Sequence, residues 1–359
     1  MAGKVRWLLF SFVVTSALAL AGPSFGAVTP RLVVAAVDDV SGQTLTINAS
    51  KQKADDPLAR IQLFVPSGFQ LNSPAPGRSV GTATARVVLR DSDPAHEQPM
   101  AGSVTAISPT DARIAYEGST CDTSQHLAAW LVQLRGGKGT LAFPVYVDAS
   151  SGDSTAWGPY VLVACLRSPD LAASDPNRSA GGAVLDAFTL KLNPFARPTT
   201  AGTFRWRSLW TPYTLGTGTQ NTAGNVEAQS LVVIPTGQIV IFGKRVNKTV
   251  QGKTVYRLQI SGQVLVQSEP VGPVVVTVRH GAGQDHLVSL GAVHTGGDGG
   301  YTIFATLAKA PQYYQAAAYV PPKDLGPSGC EASFPNTPCV SATSGAGRVV
   351  SGVMLVRPR

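Results

Sequence analysis

Three histidines, His280, His286 and His294, fall within fifteen residues. Imidazole is a common metal ligand, and rings on neighbouring strands can converge on one ion. Ligation also needs a shared face and hydrogen-bond support behind each ring. Spacing alone supplies neither, so these read as surface histidines and no metal is expected. Gly77-Arg78-Ser79-Val80-Gly81 matches Gly-x-Ser-x-Gly. A nucleophile elbow needs a strand before the serine and a helix after it. Here Ser73-Pro74-Ala75-Pro76 precedes and the β-like "TATARVVL" follows, which makes the match a loop coincidence. Asp91, Asp93, His96 and Glu97 cluster beside Pro94 and Pro99. Oxygen ligation of calcium is conceivable, but Asp and Pro are turn residues, and a solvated loop is the plainer reading.

"HTGGDGGYTIFATL", residues 294–307, offers a glycine-rich loop with one acid. No Gly-Lys-Ser/Thr follows and no helix opens, so it is no phosphate cradle. Asp298 stands alone, so it is no calcium loop. Glycines that accept positive φ suit a turn between strands. Tyr301, Ile303 and Ala305 then share one face. The single candidate ligand-binding row is Phe204, Trp206 and Trp210, on one face of a strand with Arg205 and Arg207 opposite. Such rings could stack on a sugar; the competing reading buries them as core. No Ser-His-Asp set, Cys-His pair or nucleotide loop withstands its context. No catalytic residue and no cofactor is expected.

These residues must be positioned by strands. Period-two runs such as "RLVVAAVDDV", "TLTINAS", "RIQLFVPSGF", "ARIAYEG", "TLAFPVYVD" and "GPVVVTVRHG" recur with turn signals between them. "DTSQHLAAWLVQLRGG" fits a helix from Asp122 to Gly136, or a strand turning through Gly136-Gly137-Lys138-Gly139. Its neighbours favour the strand. The expected fold is all-β, with two antiparallel immunoglobulin-like β-sandwich domains. The polar "KRVNKTVQGK" marks a linker at 246–255, between an N-terminal region at 28–245 and a C-terminal domain at 256–359; the alternative is a hairpin turning at residues 249–254 that pairs "QIVIFGKRV" with "TVYRLQIS". Whether residues 28–245 form one domain or two stays open.

The first 27 residues read as a signal peptide. Lys4 and Arg6 precede the apolar stretch Trp7 to Ala21, and Ala19-Leu20-Ala21 and Ser24-Phe25-Gly26 are alternative cleavage signals. No second long apolar stretch follows, so a secreted, extracellular chain without an integral membrane span is expected. The composition is 44% hydrophobic and only 14% charged, which argues against disorder. The formal charge of +8 falls to +6 without Lys4 and Arg6. The cations are dispersed, so a nucleic-acid site is not expected. An even set of cysteines, Cys121, Cys165, Cys330 and Cys339, in an exported chain implies disulfides. Of three connectivities, Cys121–Cys165 with Cys330–Cys339 keeps each bridge inside one proposed domain.

Residues 256–359 resemble the carboxypeptidase regulatory-like, or prealbumin-like, β-sandwich. The elements that carry the resemblance are Gly262-Gln263-Val264, Pro273 to Val278, Thr295 with Asp298-Gly299-Gly300-Tyr301, and Tyr314 to Ala318. It implies an accessory module, with no peptidase attached. The rest is more loosely similar to secreted bacterial β-sandwich proteins. The expected function is non-enzymatic binding of a cell-surface glycan or a protein partner; the alternative is a hydrolase assembled from residues distant in sequence.

Overall fold

The computed structural model describes residues 28–39, 42–137, 139–193, 195–321, 339–341 and 347–358. In chain order the strands of the first part are β1 (Arg31–Asp39), β2 (Gly42–Ser50), β3 (Leu58–Val65), β4 (Gln70–Leu71), β5 (Ser79–Leu89) and β6 (His96–Ile107). A short helix, α1 (Ala115–Thr120), follows. Then come β7 (Ala128–Gly136), β8 (Gly139–Ala149), β9 (Tyr160–Cys165), β10 (Ala183–Leu192), β11 (Phe195–Ala196), β12 (Gly202–Pro212) and β13 (Val226–Ile234). The second part holds β14 (Gly237–Val250), β15 (Lys253–Val266), β16 (Glu269–Pro270), β17 (Val275–Gly281), β18 (Val288–His294), β19 (Gly300–Thr306) and β20 (Gln312–Val320). The last three are β21 (Cys339–Ser341), β22 (Gly347–Val350) and β23 (Met354–Val356).

The fold is all-β, as expected, but the first part is not a pair of facing immunoglobulin-like sheets. It is one sheet ordered β1-β2-β10-β5-β6-β7-β8-β9-β3-β12-β13-β21. Every pairing in it is antiparallel except β13 with β21. Twist accumulates across so many strands and the sheet must curl or split. Here it curls nearly into a barrel. The Val34 N–H on β1 donates to Ser230 Oγ on β13 at 2.9 Å. Alternate residues point inward along each strand, and that face is filled by side chains such as Leu32, Ile47, Val132, Phe143, Trp206 and Trp210.

Among the described residues, the outer face carries a smaller apolar layer. Ile107, Ile114, Leu131, Tyr146 and Val163 pack there under α1. The sequence read "ARIAYEG" as a strand. Instead Asp111 accepts the Arg113 N–H at 2.9 Å, a 3₁₀ turn at Ala112–Ile114 opens, and α1 continues it with Ile114 pointing into that layer. The Cys121–Cys165 disulfide fastens the end of α1 to β9. The segment Ala128–Gly136 is a strand, in agreement with the turn chemistry rather than the helical spacing.

The second part is two packed antiparallel sheets. One pairs β15 with β14, β16 and β19; the other runs β18-β17-β20-β22, with β23 also on β20. Ile260, Val264, Val276, Val278 and Ala316 fill the space between them. The proposed linker at 246–255 is corrected. Residues 237–266 form one hairpin, paired in register from Gly237↔Val266 to Val250↔Lys253. The two cores divide between Ile234 and Ile239 instead. From Arg257 inward β14–β15 joins a sheet, whereas residues 253–257 are exposed throughout.

The glycine-rich stretch before Tyr301 is a turn between β18 and β19. Gly299 has φ 71°, and Asp298 Oδ1 accepts the Gly300 N–H at 3.0 Å. Tyr301 and Ala305 face the core while Phe304 faces out. Cys330 and residues 1–27, expected as a signal peptide, lie outside the described residues. No helix among the described residues is long and apolar enough to cross a membrane.

Candidate functional site

A cleft of about 570 Å³ lies on the outer side of β7 and β8. Leu131, Gln133, Ala142 and Pro144 line it from the outward face, and Leu58, Leu141, Phe143 and Leu185 of the inner core line it as well. Two long connections wall it. The β6–β7 connection brings α1 with Arg113 and Glu117, and the β9–β10 connection, residues 166–182, brings Arg167, Arg178 and Ser179. Long loops on a rigid sheet are a usual place for ligand contacts.

The charged groups of the cleft are held in pairs. Glu117 is buried, and Arg167 Nε donates to its Oε1 at 2.5 Å. Arg167 Nη1 also donates to the Pro176 carbonyl at 3.2 Å. The buried carboxylate beside it holds the Arg167 guanidinium above its usual range. Arg178 donates to Asp91 and, at 2.5 Å, to the Leu171 carbonyl. Arg113 pairs with Asp111 at 2.8 Å, and this hydrogen bonding pulls the exposed Asp111 carboxyl down to about 2. Gly181 and Gly182 end the loop with φ of 64° and 61°. A Cβ on Gly182 would stand 2.7 Å from both Arg178 and Asp91, so a glycine is needed for the chain to pass this pair.

Two polar atoms at the wall are unspent. Ser179 is buried, and its Oγ finds no hydrogen-bond partner among the described residues; the same holds for Arg178 Nε. Both atoms are closed off from solvent, and a buried polar group without a partner costs about 1–3 kcal/mol, recovered only by an atom that enters the wall.

A second constellation lies under α1. His126 Nδ1 sits 2.7 Å from Asp148 Oδ1, with both side chains nearly buried. The imidazole stacks on Tyr146 with ring centres 3.9 Å apart. Burial pushes the Asp148 carboxyl up; His126 opposes this and Asp122 adds to it. Burial, then the carboxylates of Glu117, Asp122 and Asp148, raise the Tyr146 phenol, which donates to the Ile114 carbonyl at 3.1 Å. None of His126, Asp122, Tyr146 or Asp148 lines the cleft.

The residues singled out from the sequence fall elsewhere. Trp206 and Trp210 are fully buried in the barrel-like core, and Phe204 packs against it with Phe69. The ligand-binding row is thus corrected: the inward face of β12 cannot present two of its three rings to a ligand. Ser79 opens β5, with no helix behind it. His280 and His294 stand near opposite ends of the β17–β18 pair, where Val275 opposes His294 and Val288 opposes His280, a separation of about 17 Å along the strand. Asp91 is the one member of its loop cluster that reaches the cleft; His96 instead contacts Ser92 Oγ at 2.7 Å. The sequence reading missed Glu117, Arg167, Arg178 and Ser179. The available signal was a long polar connection holding two arginines after an apolar strand. No protein-family model matches the chain, and no curated protein matches it.

Proposed function

We propose that this is an exported, non-enzymatic binding protein of the cell envelope, and that its cleft holds a neutral, hydroxyl-rich ligand of sugar size. The observation that carries the reading is the pair of unspent polar atoms, Ser179 Oγ and Arg178 Nε, in the wall of a 570 Å³ cleft. That volume lies within the range of about 300–1,000 Å³ usual for small-molecule sites. The charges of the wall are already matched, Arg167 with Glu117 and Arg178 with Asp91. Matched guanidinium and carboxylate edges suit hydroxyl groups, which both donate and accept, better than a free ion. The C-terminal module's likeness to carboxypeptidase regulatory-like sandwiches supports an accessory role for that half.

A hydrolase is the second reading. It rests on the buried His126–Asp148 pair, whose raised carboxyl is the kind of perturbed group that active sites use. Its separation from the cleft walls favours binding without turnover. Saturation-transfer NMR of the full chain with a panel of neutral and acidic disaccharides tests the choice. Saturable binding of a neutral disaccharide is expected, weakened about tenfold or more by Ser179→Ala or Arg178→Ala through loss of a buried hydrogen bond. No binding by any member contradicts the proposal, and release of monosaccharide by wild-type protein, lost in His126→Ala, establishes the hydrolase instead.

A further inference from the structure

Beyond the first 27 residues, the net charge of the chain is confined to the second module. Residues 28–234 hold sixteen Lys and Arg against sixteen Asp and Glu, whereas residues 235–359 hold eleven against five. Charge asymmetry of this kind points to an anionic partner for one half. The topology then sorts the charge within that half. The β14–β15 hairpin starts beside the first module at Gly237↔Val266 and ends far from it at Val250↔Lys253. Glu269 pairs at the near end, opposite Val266, and the Asp298 carbonyl is held there by Gln263.

Arg245, Lys248, Lys253 and Arg257 occupy the far half of the hairpin, and no acidic residue lies between Glu227 and Glu269. Arg257 pairs with Thr306, so the following turn with Lys309 lies at this end. Gln312 pairs with Val356, which brings Arg357, and Arg245 donates to the Arg357 carbonyl. The acid that the sheet order brings to this end is Asp285, in the turn after Gly281, which pairs with Tyr313. Cations alone would suit any polyanion. The same end also exposes apolar groups that a polyanion would leave in water. Tyr256 and Val255 are 57% and 41% exposed beside Lys253; Phe242 and Phe304, at 63% and 52%, flank β15 on the outer face nearer the middle of the hairpin. Exposed aromatic and aliphatic side chains among cations match an interface with acyl chains below and anionic head groups above.

We propose that the far end of the second module docks on an anionic lipid bilayer, with Lys248, Lys253 and Arg257 against head groups and Val255 and Tyr256 set into the interface. This is independent of the cleft. Flotation of the full chain with phosphatidylcholine vesicles, with and without phosphatidylglycerol, tests it. The protein is expected on the anionic vesicles only. Lys248→Glu with Lys253→Glu should weaken that binding about tenfold or more, since each cation near such a surface contributes measurably. Val255→Ser with Tyr256→Ser should also weaken it, with thermal unfolding as in wild type because these residues are exposed. No flotation with anionic vesicles overturns the proposal. So does full binding by the Val255→Ser/Tyr256→Ser protein together with heparin or single-stranded DNA displacing it from vesicles, a result that makes the partner a soluble polyanion.

Discussion

The two modules use charge in opposite ways. In the first, cations and anions are equal in number and locked inward. Lys51 Nζ meets Asp186 at 3.0 Å where both are buried, Arg167 holds Glu117, and His126 holds Asp148. Each pair fixes a loop or a strand end against the curled sheet. Breaking such a pair leaves an uncompensated buried charge, and the Arg167–Glu117 pair thereby fixes the loop position that shapes the cleft. In the second module, Lys248, Lys253 and Arg257 stand on an exposed hairpin. The two modules have different apolar economies too. The first buries its largest rings, Trp130, Trp206 and Trp210, while the second leaves Phe242, Tyr256 and Phe304 in solvent. The contrast teaches that one half is built to shape an interior and a cleft, and the other to display a surface.

The sharpest way to break this contrast is to truncate one ring from each half. Trp206→Ala should lower the unfolding free energy by about 3–5 kcal/mol, because it empties a filled core. Phe304→Ala should change it by no more than about 0.5 kcal/mol, as exposed substitutions do. Urea denaturation followed by circular dichroism measures both. Similar losses at the two positions would mean that the outer face of β14, β15 and β19 is covered.

A smaller effect sharpens the electrostatic side. Asp148 has a folded pKa above its ordinary 3.8, chiefly from burial. The native state therefore keeps this proton after the unfolded chain has lost it. Stability from this group is fully present below 3.8 and declines as pH rises from there through the raised folded value. Urea midpoints taken from about pH 3 to about pH 8 should show that decline in wild type and a flatter profile in Asp148→Asn. An unchanged profile in the variant would mean that Asp148 is not buried against His126.

Much of the fold was legible because burial imposes period two. The strand at Ala128–Gly136, the turn around Asp298 and the Cys121–Cys165 bridge all followed from local chemistry. Residues 246–255 misled because a hairpin exposed on both faces has no reason to alternate, and a polar strand then looks like a connector. The helix at Ala115–Thr120 was hidden because Ile114 and Tyr116 stand two apart between Arg113 and Glu117, the spacing of one face of a strand. The row of Phe204, Trp206 and Trp210 shows the limit in the other direction: one-sided aromatics identify a face, but the partner of that face is set by a curl that spans twelve strands. The cleft was least legible. Its residues come from Pro57 to Leu185, and Glu117 and Arg167 meet because the disulfide and the β9–β10 connection bring them together.

Hydrogen–deuterium exchange of the full chain, in the presence of either a bound neutral disaccharide or phosphatidylglycerol vesicles, tests the division of labour most directly. The account expects the disaccharide to protect residues 111–121 and 166–182 and leave 244–257 unchanged, and the vesicles to protect 244–257 and leave the cleft loops unchanged. Protection of the same segments by both additions would contradict it.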